Sequence, residues 1–173
     1  KAVVKGSFGT GKDLSFRIAS ESIDLSRISQ LAPLLDLKGA VTMLEFRIYM
    51  PAQRLAAADG EFNLKAKNIR LDPSSLGLPI VLPLLNLGDV DVEGSIAKGA
   101  LKIEKFKIGG PGKDLDLQIP NGIVNLSDVM PSTRYDLHLL LKPSPALEKA
   151  VPGIGGMMGI WAGVKPDGAY AVH

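Results

Sequence analysis

Gly9-Thr-Gly-Lys-Asp-Leu-Ser-Phe-Arg-Ile18 recurs, without a gap, as Gly110-Pro-Gly-Lys-Asp-Leu-Asp-Leu-Gln-Ile119. In both copies a glycine-rich turn runs into a stretch that alternates apolar and polar side chains. A β-strand points successive side chains to opposite faces, so this alternation predicts a half-buried strand. The register resumes further on, where Ile23-Asp-Leu-Ser-Arg-Ile28 matches Val124-Asn-Leu-Ser-Asp-Val129. Each copy is then followed by a strand that ends at a proline: Phe46-Arg-Ile-Tyr-Met-Pro51 in the first, Leu139-Leu-Leu-Lys-Pro143 in the second. Phe62-Asn-Leu-Lys-Ala66 with Ile69-Arg-Leu71 is a shorter echo. The chain therefore reads as one β-rich domain, 1–173, containing an internal repeat over 1–58 and 98–173. Stacked β units of this kind predict an elongated, curved sheet.

The same period of two governs the rest of the chain. Ala40, Thr42, Leu44, Phe46, Ile48 and Met50 share one face of a long strand, and Phe62, Leu64 and Ala66 alternate with charged or amide side chains. Val90, Val92 and Ile96 alternate with Asp89, Asp91, Glu93 and Ser95. Tyr135, Leu137, Leu139 and Leu141 alternate with Arg134, Asp136 and Lys142. One strand changes phase: Leu101 and Ile103 are odd, Phe106 and Ile108 even. A one-residue insertion at Glu104 and Lys105 restores a common face, which predicts a β-bulge there. Polar-out, apolar-in alternation suits an antiparallel sheet with one solvated face. Glycine-rich turns at 9–12 and 109–113 fit hairpins. Two short helices are expected. One spans 26–35, limited by Pro33; the other starts with Ser144 as N-cap and Pro145 at the first helical position.

The totals narrow the function. The chain has 173 residues, 46% of them hydrophobic, enough for a core, and only 5% aromatic, so the core is aliphatic. The formal net charge is +2, with both signs interleaved. A nucleic-acid binder needs a basic stripe, and none is present. The absence of cysteine removes disulfides, thiolate metal sites and a cysteine nucleophile. The longest uncharged stretches, 76–88 and 150–164, are interrupted by Pro79, Pro83, Pro152 and several glycines, and neither reaches the roughly 18 residues of a membrane span. The chain starts in mid-pattern at Lys1 and reads as a fragment, with any membrane anchor outside it.

Each chemical motif has a plainer structural reading. Gly6-Ser-Phe-Gly-Thr-Gly-Lys12 fits the opening of a phosphate-binding loop. Such a loop continues with Ser or Thr and a helix; here Asp13 and an alternating strand follow, so a hairpin turn is expected. Asp89, Asp91 and Glu93 lie on one strand face without the turn that wraps carboxylates around calcium, and read as a solvated face. His138 falls on the polar phase of its strand, and His173 is the last residue. No Gly-x-Ser-x-Gly elbow is present. No catalytic residue, metal ligand or cofactor site is assigned. The candidate functional surfaces are apolar. Phe16, Phe46, Ile48, Leu64, Leu117 and Leu139 are expected either to pack as a closed core or to line a groove. Leu78, Ile80, Leu82, Met157 and Trp161 sit in apolar loops that either seal the sheet or contact a membrane, a lipid or a partner.

Several segments, in order, carry a family resemblance. They are Leu71-Asp-Pro-Ser-Ser-Leu-Gly-Leu-Pro79, the strand pair Leu87-Gly-Asp-Val-Asp-Val-Glu-Gly94 with Gly99-Ala-Leu-Lys-Ile-Glu104, Leu141-Lys-Pro-Ser-Pro-Ala-Leu-Glu148 and Lys165-Pro-Asp-Gly-Ala-Tyr170. Together they resemble the GspN family of the bacterial type II secretion system, over residues 59–173. The resemblance implies a periplasmic domain with an inner-membrane anchor upstream, and secretion-system components as partners. The family is similar in turn to AsmA-like and TamB-like proteins, which implies a β-taco, a long sheet folded around an apolar groove, and offers lipid as an alternative ligand. It implies no catalytic residue and no cofactor. The helical segment 26–35 has no counterpart in the family's pattern.

Overall fold

The computed structural model describes residues 4–9, 11–26, 36–76, 82–156, 163–164 and 170–172. Strands β1 (Val4–Gly9) and β2 (Leu14–Ser20) pair antiparallel on either side of the first glycine-rich turn, with Gly9 opposite Ser15. Both β2 and the short β3 (Ile23–Asp24) lie against β4 (Asp36–Met50). A meander follows, each strand pairing with the one before it: β5 (Asp59–Asp72), β6 (Leu85–Ala97), β7 (Ala100–Gly109), β8 (Leu115–Asn125) and β9 (Arg134–Pro143). β11 (Tyr170–Val172) adds to β9, and β10 (Gly163–Val164) adds to β11. The result is one open sheet in the order β1-β2-β4-β5-β6-β7-β8-β9-β11-β10, antiparallel throughout. The chain is mainly β, as its alternation predicts.

Irregularities fall where side-chain phase or backbone chemistry requires them. Opposite β7, Glu93 pairs with Lys105 but Gly94 with Ile103, so Glu104 is the extra residue of a bulge. Leu101, Ile103, Phe106 and Ile108 thereby keep one face, as the phase change predicted. In β8 the ladder skips from Gln118 to Asn121, which places Pro120 in a bulge. Proline has no N–H to give a ladder, so a bulge is where a strand interior tolerates it. Lys98 and Gly99 close the β6–β7 hairpin with φ of 50° and 75°. Two successive positive values are what a type I′ turn needs, and its twist matches the flanking strands.

Of the expected helices, the second forms as α1 (Pro145–Ala150). The Ser144 hydroxyl accepts a hydrogen bond from the Leu147 backbone N–H at 3.1 Å, and Pro145 starts the helix. Residues 27–35 of the first lie outside the described residues. One boundary differs from expectation: residues 85–87, the end of the apolar loop expected over 76–87, belong to β6. Their alternation is short and interrupted by Gly88, so only the pairing of Leu85 with Leu71 reveals the strand.

Cross-strand pairs place the apolar residues on one face. Phe16 is opposite Ile48, Phe46 opposite Phe62, Leu64 opposite Leu44 and Val92, and Leu117 opposite Ile108 and Leu141. The other face carries Arg17, Arg47, Glu61 and Lys102 in one row and Lys65, Asp91 and Lys107 in another. Charge pairs form on this face, Arg47 with Glu61 at 3.0 Å along the first row and Lys105 with Asp91. Such exposed pairs each stabilise by only about 0–1 kcal/mol, so burial on the apolar face holds the fold.

Candidate functional site

That apolar face is covered at its two ends and half-open between them. At one end, the two 3-10 turns joining β4 to β5 form a strap (Pro51–Gln53 and Leu55–Ala57). The Arg54 guanidinium reaches Asp128, in the β8–β9 connection, at 3.0 Å, and the Ala56 N–H donates to the same carboxylate at 3.0 Å. Backbone bonds complete the crossing, from Gly99 N–H to the Ala58 carbonyl and from Leu126 N–H to the Gly99 carbonyl, both 2.8 Å. Beneath the strap, Ile48, Ala58 and Ile96 are buried, with Phe16, Phe46, Met50, Leu55, Leu101 and Leu126 around them. At the opposite end, Leu147 of α1 and Val151 are buried against Leu85, beside Leu71, Leu82, Leu115 and Ile154. A third cluster, Val41, Ala66 and Ile69, lies towards the β3 side with Leu25 and Leu37.

Between the caps, Phe62, Leu64, Val92, Ile103, Phe106, Leu117, Leu137 and Leu139 are only half-buried. No large side chain among the described residues is fully buried. A single sheet with a one-sided apolar surface has this property where, among the described residues, no second layer stacks opposite its middle. The six residues singled out from sequence all point to this face. Phe16, Phe46 and Ile48 meet at the strap, where the two phenylalanine rings contact edge to face with centroids 6.0 Å apart. Leu64 borders the Val41 cluster. Leu117 and Leu139 lie on β8 and β9, towards the far edge. Of the loop candidates, Leu82 packs beside α1. Leu78, Ile80, Met157 and Trp161 lie outside the described residues.

The repeated motifs have structural work to do. Asp13 and Asp114 each end a Gly-Lys-Asp turn and pin a neighbouring segment, the β4–β5 connection for Asp13 and the start of β6 for Asp114. Asp13 accepts from the Ala52 N–H at 2.9 Å and the Tyr49 hydroxyl at 2.7 Å. Asp114 accepts from the Asn86 N–H at 2.6 Å. The bond from Ala52, then that from Tyr49, holds the Asp13 carboxyl below its ordinary value; the same bond pushes the Tyr49 phenol up. In the second repeated segment, Leu25 and Leu126 both fold onto the apolar face, each donating its N–H to a glycine carbonyl, Gly39 at 3.0 Å and Gly99 at 2.8 Å. The glycine-lysine stretch is thus a hairpin turn whose aspartate is already engaged. Asp91 is paired with Lys105, and His138 lies 3.8 Å from Asp136. Among the described residues no group of three or more His, Asp or Glu is placed to hold a metal ion.

Sequence reasoning missed two features. The strap joins residues 54 and 128, and no local signal links them. The far edge of the sheet was missed too, although Tyr135, the aromatic residue of β9, marks it: Tyr135 is 65% exposed and Ile123, on the neighbouring strand, 43%. No described helix is long and apolar enough to cross a membrane. No family model, curated protein or solved structure matches the chain.

Proposed function

We propose that this domain is a non-catalytic structural and interaction component of a bacterial type II secretion system, of the GspN kind, acting in the periplasm and held to the inner membrane by a segment outside residues 1–173. The observation that carries the reading is the open antiparallel sheet, whose edges and half-covered apolar face are surfaces for association rather than for bond chemistry. The segments that resemble the family support it: they build the β6–β7 hairpin, whose turn meets the strap at one end of the sheet, and the junction of β9 with α1, which caps the other. In a bacterium whose secretion operon encodes the protein, deleting its gene should leave secreted substrates in the periplasm, and in-cell crosslinking should join the domain to named secretion components. Unchanged secretion together with no such crosslink overturns the reading.

A second reading, a lipid-binding groove, is favoured by the half-buried row of Phe62, Leu64, Phe106, Leu117 and Leu139. Native mass spectrometry of the protein from bacterial envelopes separates the two. Near-stoichiometric phospholipid supports the groove; a clean mass under conditions that retain lipid in a known carrier excludes it.

A further inference from the structure

Five asparagines occur in the chain, and four of them precede a bulky side chain: Asn63, Asn86 and Asn125 precede leucine, and Asn68 precedes isoleucine. Asn121 alone precedes glycine. The difference matters because the backbone nitrogen of the next residue lies within reach of an asparagine side-chain carbonyl. A branched side chain on that residue crowds the approach, whereas glycine, with no Cβ, leaves it open and the backbone free to turn. Packing keeps the pair in place. Gly122 is buried on the apolar face, and a Cβ there would meet the Leu137 side chain at 2.7 Å, so a larger residue would have to displace it. Asn121 points to the other face, where it is exposed opposite His138. Its side-chain amide makes no hydrogen bond among the described residues. The ladder is loosest here. On the β9 side the pairing jumps from Gln118 to Asn121, and on the β7 side from Gln118 to Gly122. Pro120, inside the gap, has no N–H with which to tighten it.

We propose that Asn121-Gly122 is a site of spontaneous covalent modification, at which the asparagine of the folded sheet cyclises and opens to aspartate or isoaspartate. The Gly122 nitrogen attacks the Asn121 side-chain carbonyl carbon. The new C–N bond closes a cyclic imide, the bond from that carbon to Nδ2 breaks, and Nδ2 leaves as ammonia with the proton given up by the Gly122 nitrogen. Water then adds to either imide carbonyl, whose bond to the Gly122 nitrogen breaks. One opening leaves aspartate with the backbone unchanged. The other leaves isoaspartate, whose backbone runs through the side chain and is a methylene longer. Two groups held as neighbours react without the cost of being brought together, so the step needs no enzyme. The bulge is where this strand can make the required turn, since residues 119 and 120 pair with neither β7 nor β9. Both products place a carboxylate opposite His138 and diagonal to Asp136. Isoaspartate also displaces the ladder from the Gly122–Leu137 pair onward, and so loosens β8 against β9; aspartate leaves that ladder in register.

The test incubates the full-length protein at neutral pH and follows it by peptide mass mapping, with a capped synthetic peptide of residues 118–125 as the unfolded reference. The fragment containing Asn121 should gain the mass of an amide-to-acid exchange and separate by chromatography into aspartate and isoaspartate forms. Its conversion in the folded protein should be about tenfold or more faster than at any other asparagine, and within about tenfold of the reference peptide. Asn121→Gln, whose longer side chain disfavours ring closure, should abolish the gain while the protein melts as the parent does. The isolated isoaspartate form should exchange its amides faster than the parent in β8 and β9 and equally in β5, and Asn121→Asp should exchange as the parent does. Three results overturn the proposal. One is no mass gain at Asn121. Another is a gain only after unfolding in urea, which means the ladder holds the two groups apart. The third is a gain spread evenly over the asparagines. An isoaspartate form that exchanges like Asn121→Asp overturns the loosening of β8. Secretion does not enter this assay, so its failure and that of the broader function are separable.

Discussion

Replacing Leu147 by Ala removes the side chain that docks α1 on the sheet. Leu147 is 3% exposed and sits between Leu85 and Val151, with Leu71, Leu82 and Leu115 beside them. The substitution deletes three side-chain carbons, and at about 0.8 kcal/mol per buried methylene the transfer loss is about 2.4 kcal/mol. A cavity adds to this where the surroundings hold their positions, and core Leu→Ala changes reach about 2.7–5 kcal/mol. Here the side chain belongs to a helix of 6 residues at the surface, which can settle into the gap. The expected loss is therefore at the low end, about 2.5–3 kcal/mol. At about 2–4 °C per kcal/mol for a chain of this size, the melting temperature falls by about 5–12 °C. Urea unfolding should show a lower midpoint with an unchanged slope, because the surface exposed on unfolding barely changes. Lys149→Ala, on the exposed side of the same helix, should stay within about 0.5 kcal/mol of the parent. A Leu147→Ala loss below about 1 kcal/mol would refute the argument that α1 is a docked cap.

Three further outcomes follow from the same geometry. Ser144→Ala should cost about 1 kcal/mol in urea unfolding, through loss of the cap on the Leu147 N–H, and Ser144→Asp should retain most of it. Gly94→Ala should destabilise by about 1–3 kcal/mol, because the added methyl meets the Phe62 ring and the Lys102 carbonyl; a neutral result would mean that the sheet gives way there. The strap should weaken in acid. The Asp128 carboxyl is held below its ordinary value by the Ala56 N–H first and Arg54 second. Its contribution is therefore complete above the unfolded carboxylate value of about 3.9 and is lost as pH falls through the lower folded one. Asp13 and Asp72 act with the same sign. Thermal melts from pH 7 to pH 3 should show the loss, and Asp128→Asn should flatten that limb of the curve.

Most of the secondary structure is legible in the sequence because it depends on neighbours along the chain. Alternation marks β2, β5, β8 and β9, and the phase change at Glu104 marks a bulge that the ladder then shows. The Ser-Pro pair marks the start of α1. The repeat announces that two hairpins share one plan, and the structure gives that plan a physical content: an aspartate that accepts a backbone N–H from a neighbouring segment and a leucine that folds back over the apolar face. The six apolar positions share a face because period-two spacing holds within each strand and the ladders pair apolar residue with apolar residue between strands.

What surrounds that face was decided by tertiary structure alone. The bond of Arg54 to Asp128 spans 74 positions, and no periodicity encodes it. Nor does any local pattern tell which strand lies on the outer side of β4 and which on that of β9, since both strands alternate alike. Alternation is set by each residue's own backbone geometry, whereas pairing on a strand's second side depends on which distant segment arrives to satisfy its N–H and C=O groups. The sequence by itself therefore determined the strands and their apolar face, and the tertiary structure decided which strands pair and where that face is capped.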